Sequence, residues 1–98
     1  MPRVMFTISY EIDPQLRDAY LVLSQEMKNH IKGMNGKDYS VYEQKTKKNS
    51  FAEVYVFDSM DEYDQLEDQD ETMNAFIQRL ESMLAGGKMK YTTLVELP

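Results

Sequence analysis

Glu53 is one residue of this chain whose type and setting could do chemistry. It stands at the middle of Phe51-Ala52-Glu53-Val54-Tyr55-Val56-Phe57, between aromatics two residues away on either side. A carboxylate among rings is poorly solvated, so its pKa rises and it can act as a base closer to neutral pH. If Glu11 shares its sheet face, the two form a carboxylate pair. The same pattern serves an interface glutamate paired with a lysine, because structural ion pairs also perturb pKa. His30 is the single histidine. It could act as an acid or base toward a ligand, or simply complement the dipole at a helix C-terminus. Ser9, Tyr42, Glu53, Tyr55 and His30 are therefore the candidate lining of a ligand pocket.

Metal chemistry finds little support. With one histidine and no cysteine, only an all-carboxylate site remains. Asp58, Asp61, Glu62, Asp64, Glu67, Asp68, Asp70 and Glu71 form an acidic run. An EF-hand needs glycine at the sixth loop position and glutamate at the twelfth. Counted from Asp64 those positions hold Gln69 and Ala75, and from Asp68 they hold Met73 and Arg79. The run reads as a solvated helix face, and neither a metal nor a cofactor is assigned. Lys45, Lys47 and Lys48 make a basic turn tip that could meet an anion or the acidic run of a neighbouring chain, or serve only as a soluble turn. No glycine-rich phosphate loop follows a strand, and no local motif suggests a Ser-His-Asp set.

These residues need elements to hold them. Val4, Phe6, Ile8 and Tyr10 alternate with Met5, Thr7, Ser9 and Glu11, which predicts a strand over Arg3 to Glu11 with its apolar face on the even positions. Asp13-Pro14 is a helix start, the aspartate capping free amides and the proline suiting the first turn. Leu16, Tyr20, Leu23, Met27, Ile31 and Met34 then recur at helical spacing, and Gly33 and Gly36 bracket the exit. Lys37 to Lys45 is a second strand with Tyr39 and Val41 on one face. The polar turn 46–49 joins it to the strand Phe51–Phe57 as an antiparallel hairpin. Ser59 and Glu62 form a capping box. The helical region that follows carries Met60, Tyr63 and Leu66, then Met73, Phe76, Ile77, Leu80, Met83 and Leu84, with an apolar-free stretch from Glu67 to Thr72 that predicts a break. Gly86-Gly87 is expected to end it, and Met89 to Leu97 is the last strand.

Strand, helix, strand, strand, helix, strand predicts an α+β, ferredoxin-like βαββαβ fold: one domain over 1–98, a four-stranded antiparallel sheet, and both helices on one face. Right-handed crossovers place the first and third strands in the centre. On the third strand the small residues Ala52, Val54 and Val56 are expected under the helices. That leaves Met5, Thr7, Phe51, Tyr55 and Phe57 on the open face as candidates for a dimer interface, since exposed aromatics in a patch mark an interaction site.

Composition narrows the function. At 98 residues, 42% hydrophobic and 29% charged, the chain suits a single globular domain. No apolar run approaches the ~20 residues of a membrane span, and the N-terminus has no signal-peptide core. Absent cysteine fits a cytoplasmic location. A net charge of -6 and a pI near 4.7 oppose nucleic-acid binding, which depends on neutralising phosphates. RNA-recognition domains share this element order and stack bases on central-strand aromatics, but the basic glycine-rich strand is missing and Glu53 would repel phosphate.

Val4-Met5-Phe6-Thr7-Ile8-Ser9-Tyr10, Phe51-Ala52-Glu53-Val54-Tyr55-Val56-Phe57 and Asp58-Ser59-Met60-Asp61-Glu62-Tyr63 together resemble the dimeric α/β-barrel superfamily, and within it the small antibiotic-biosynthesis-monooxygenase-like proteins. The resemblance spans nearly the whole chain as a pattern rather than a catalytic signature. It implies a homodimer joined sheet to sheet, a dimeric α/β barrel with cavities beside each sheet. It also implies a small-molecule-binding or cofactor-independent monooxygenase-like role, with a small apolar or aromatic ligand. A non-catalytic structural or regulatory dimerisation module is the alternative, and no motif assigns catalysis to a named residue.

Overall fold

The computed structural model describes residues 2–32, 38–64 and 71–98. The chain runs β1 (Val4–Ile12), a 3-10 turn (Pro14–Leu16), α1 (Arg17–Lys32), β2 (Asp38–Glu43), β3 (Ser50–Phe57), α2 (Met60–Asp64), α3 (Glu71–Glu81) and β4 (Leu84–Val95). All strand pairs are antiparallel, in the order β2-β3-β1-β4. This is the ferredoxin-like α+β arrangement, with β1 and β3 central as the crossover rule requires. The expected helix exit at Gly33, Met34 and Gly36, and the part of the predicted break from 67 to 70, lie outside the described residues, whereas Glu71 and Thr72, also expected in the break, already belong to α3.

The helix starts follow their capping chemistry. Asp13 accepts a hydrogen bond from the Gln15 amide at 2.9 Å and leads through Pro14 into α1. The Ser59 hydroxyl accepts from the Glu62 amide, and the Glu62 carboxylate accepts from the Asp58 amide, so the reciprocal cap reaches one residue further back than the usual box. Tyr20, Leu23, Met27 and Ile31 form the buried stripe of α1. Tyr20, Leu23 and Met27 pack with Tyr10, Ile12, Phe51 and Leu80, while Ile31 joins Val4, Tyr39, Tyr55 and Phe57. Both clusters lie on the same side of the sheet as the helices. No described helix is long and apolar enough to cross a membrane.

Two expectations fail. The first is the facing of β3. Val4 pairs with Phe57, Phe6 with Tyr55, Ile8 with Glu53 and Tyr10 with Phe51. Directly opposed residues share a sheet face, so Phe51, Tyr55 and Phe57 lie under the helices, all at or below 6% exposure. The open face carries Ala52, Val54 and Val56 instead, with Met5, Thr7, Ser9 and Glu11 from β1. The physical reason is area: burying three aromatic side chains removes far more apolar surface from water than burying two valines and an alanine.

The second is the role of Gly86-Gly87. α3 ends at Glu81, and the glycines lie inside β4 with φ of 80° and 70°. Tyr10 opposes Met89, whereas Ile12 opposes Leu84. The extra β4 residues form a bulge, and its left-handed backbone is what the glycines permit.

Candidate functional site

Inverting β3 carries Glu53 into the layer between sheet and helices. Its neighbours in register are Ile8 on β1 and Val41 on β2, and its exposure is 3%. A buried carboxylate needs donors, and two phenols supply them. The Tyr10 hydroxyl donates to Oε2 and the Tyr39 hydroxyl donates to Oε1, each at 2.8 Å. The Tyr20 hydroxyl lies 2.8 Å from that of Tyr10. Because Tyr10 gives its proton to Glu53, Tyr20 is the donor in this contact. The result is a chain, Tyr20 to Tyr10 to Glu53, closed on its other side by Tyr39.

The four residues come from four elements: β1, α1, β2 and β3. Rings fix them in place. Tyr20 packs on Phe51 with centroids 4.3 Å apart and meets Tyr10 edge-on at 5.8 Å. Tyr39 lies 4.8 Å from Tyr55, which stacks in turn with Phe57. Each such pair adds about 0.5–1.5 kcal/mol beyond the area it buries.

Among the described residues no lysine or arginine forms an ion pair with Glu53. Burial therefore pushes its carboxyl above the ordinary range, and the two phenol hydrogen bonds offset only part of that shift. Burial pushes Tyr10, Tyr39 and Tyr20 far up as well, and the negative charge of Glu53 adds to it. The phenols thus remain donors at every ordinary pH. Chemically the site is a proton acceptor held in an apolar shell, with a hydroxyl chain along which hydrogen-bond direction can reverse.

The five candidate pocket residues do not meet. Glu53 and Tyr55 share the buried layer. Ser9 and Tyr42 both oppose Ala52 and lie on the other face, with Tyr42 60% exposed. His30 is in the last turn of α1, its ring edge-on to Phe76 at 5.7 Å. Glu11 is also on the open face, where it pairs with Lys47, so it forms no carboxylate pair with Glu53. The residues that sequence reasoning missed are Tyr10, Tyr20 and Tyr39. Each sits at a core position of its own pattern, and each carries a hydroxyl that must find a partner when buried. That requirement was the available signal.

No protein-family model matches the sequence, and no curated protein does. Solved structures match closely in shape. A conserved protein from Methanosarcina mazei Go1 aligns with a TM-score of 0.82 at 14% identity, over 96% of this chain and 92% of that one. An antibiotic biosynthesis monooxygenase aligns at 0.82 and 11%, over 97% and 99%. This is the fold of the antibiotic-biosynthesis-monooxygenase-like proteins. SnoaB, a cofactor-independent oxygenase from Streptomyces nogalater, shares it with a TM-score of 0.74 at 11% identity, over 94% and 90%. At these identities the monooxygenase-like likeness is one of fold, and chemistry must be argued from Glu53 and its phenols.

Proposed function

We propose that this chain is a cytoplasmic, homodimeric, cofactor-independent monooxygenase-like domain in which Glu53 is the base. The observation that supports this is a buried carboxylate with phenol donors and no paired cation among the described residues. Such a group costs several kcal/mol to desolvate, and perturbed carboxylates of this kind concentrate at functional sites. The ligand class is a small apolar or aromatic molecule with an acidic C–H or O–H. Glu53 would take that proton, leaving an electron-rich anion to reduce O2. One oxygen atom enters the substrate, converting a CH2 to a carbonyl, and the other leaves as water. Tyr10 and Tyr39 hold the carboxylate, and a ligand must displace part of the ring shell to touch it.

The dimer reading rests on the open face. Met5 and Leu94 are 39% and 53% exposed and oppose one another in register. Val54 and Val56 continue the apolar surface across β3. A second copy laid on this face would cover it, and Met5 and Thr7 remain interface candidates while Phe51, Tyr55 and Phe57 do not. Light scattering is expected to give twice 11.5 kDa, and Val56→Asp is expected to shift it to a monomer with unchanged helix content.

Oxygen uptake with a panel of phenols and enolisable aromatic ketones tests the base. Glu53→Gln is expected to lower uptake about a hundredfold or more, in a protein that still melts cooperatively. Equal uptake by the variant overturns the proposal. The second reading, a dimerisation module without catalysis, is favoured by the 3% exposure of Glu53. It is the conclusion if no panel member causes uptake or changes tyrosine fluorescence, the intrinsic probe in a chain with seven tyrosines and no tryptophan.

A further inference from the structure

A cavity of about 860 Å³ lies where the C-terminal end of β1, the β2–β3 hairpin and the glycine bulge of β4 converge. Ser9, Glu11, Lys47, Ser50, Lys88 and Lys90 are among its lining residues. Ser9 and Glu11 belong to the open face, and Lys90 opposes Ser9 in register, so these polar side chains are on the face away from Glu53, while Tyr10 and Phe51 of the other face also border the cavity. Its size is within the range of small-molecule sites.

We propose that this cavity binds a small multivalent oxyanion, a phosphate ester or a polycarboxylate. Three of the chain's eleven basic residues line it, against one carboxylate, in a protein of net charge -6. Lys47 is held by Glu11. Lys88 and Lys90 form no ion pair among the described residues, and alternation along β4 sends both to the same face. Two like charges one pleat apart repel, and a bound oxyanion relieves that repulsion. The hydroxyls of Ser9 and Ser50 are donors of the kind that accompanies lysine at phosphate and carboxylate sites. The bulge contributes as well. Gly86 lines the cavity, and a Cβ there would meet nothing within 4 Å, so the backbone rather than a side chain bounds that side. The lysines and serines are on the face opposite Glu53, which is also the face a second copy would cover, so in the proposed dimer the anion would sit at the edge of that interface; Tyr10, a donor to Glu53, borders the cavity as well.

Titration of the full chain with inorganic phosphate, pyrophosphate and citrate, followed by backbone amide NMR, tests it. The expected result is saturable shifts centred on Ser9, Ser50, Lys88 and Lys90, with chloride at matched ionic strength inert. A stronger response to pyrophosphate identifies a phosphate ester as the natural ligand class, and a stronger response to citrate a polycarboxylate. Lys88→Gln with Lys90→Gln is expected to weaken binding at least about tenfold without changing the circular dichroism. Shifts that never saturate, that chloride reproduces, or that persist undiminished in the double variant overturn the proposal.

Discussion

Glu43 and Glu53 belong to the same hairpin and the same side of the sheet, yet their surroundings push them in opposite directions. Glu43 is at the exposed end of β2. Arg17 donates to both its oxygens, at 2.6 and 2.9 Å, and the Asn49 amide donates to Oε2 at 2.8 Å. The guanidinium bonds and that amide hold its carboxyl down at about 2. Asn49 takes a left-handed φ of 68° to present the amide, a conformation asparagine tolerates better than most residues. Glu53 has no lysine or arginine partner among the described residues, and burial raises it. The lesson is that a carboxylate's role follows from its partners. One staples the hairpin to α1, and the other keeps a proton within reach.

The largest effect comes from a charge that has no phenols waiting for it. Tyr55→Asp places a carboxylate beside Glu53 and removes a core ring, and a loss of about 3–5 kcal/mol follows. The expected outcome in urea unfolding is a chain largely unfolded in water. The variant thus unfolds the core rather than splitting a folded dimer. Next comes Tyr10→Phe, which leaves Glu53 with one donor and Tyr20 without its acceptor. About 1–3 kcal/mol is expected from the same measurement.

Smaller effects divide by pH. Glu53 holds its proton more tightly folded than unfolded, so its contribution is most favourable below the ordinary carboxylate pKa. That contribution declines as pH rises through the raised folded value. Glu53→Gln should flatten the decline in Tm above about pH 4.5. Glu43 behaves in reverse: its contribution is present above its ordinary 4.5 and is lost as pH falls toward about 2. Arg17→Met should flatten that acid limb and leave the other unchanged. At neutral pH its effect on Tm is the smallest of the set, because the pair is partly exposed and screened by salt.

The strand and helix order was legible because each element has a clear period. The alternation of Val4, Phe6, Ile8 and Tyr10, and the stripe of Tyr20, Leu23, Met27 and Ile31, both fall on core-facing positions. β3 was not legible in the same way. Both of its faces are apolar, and a one-residue choice of parity moves every side chain to the other side. The small and β-branched residues Ala52, Val54 and Val56 looked suited to close packing under the helices, and that choice of parity sent Glu53 to the open face. Only the tertiary arrival of Tyr10 and Tyr39 makes its burial tolerable, and the sequence pattern of β3 alone does not contain them. The glycine pair misled for a related reason: a helix stop and a strand bulge both require positive φ, and the two are told apart by pairing with β1.

The most direct measurement is a titration of the Glu53 side-chain carboxyl by 13C NMR in the wild-type protein. The expected midpoint is well above the ordinary glutamate value of about 4.3, moving higher still in Tyr10→Phe. A midpoint at or below that value would show that the site is wet or paired with a cation, and Glu53 would no longer be a base in waiting.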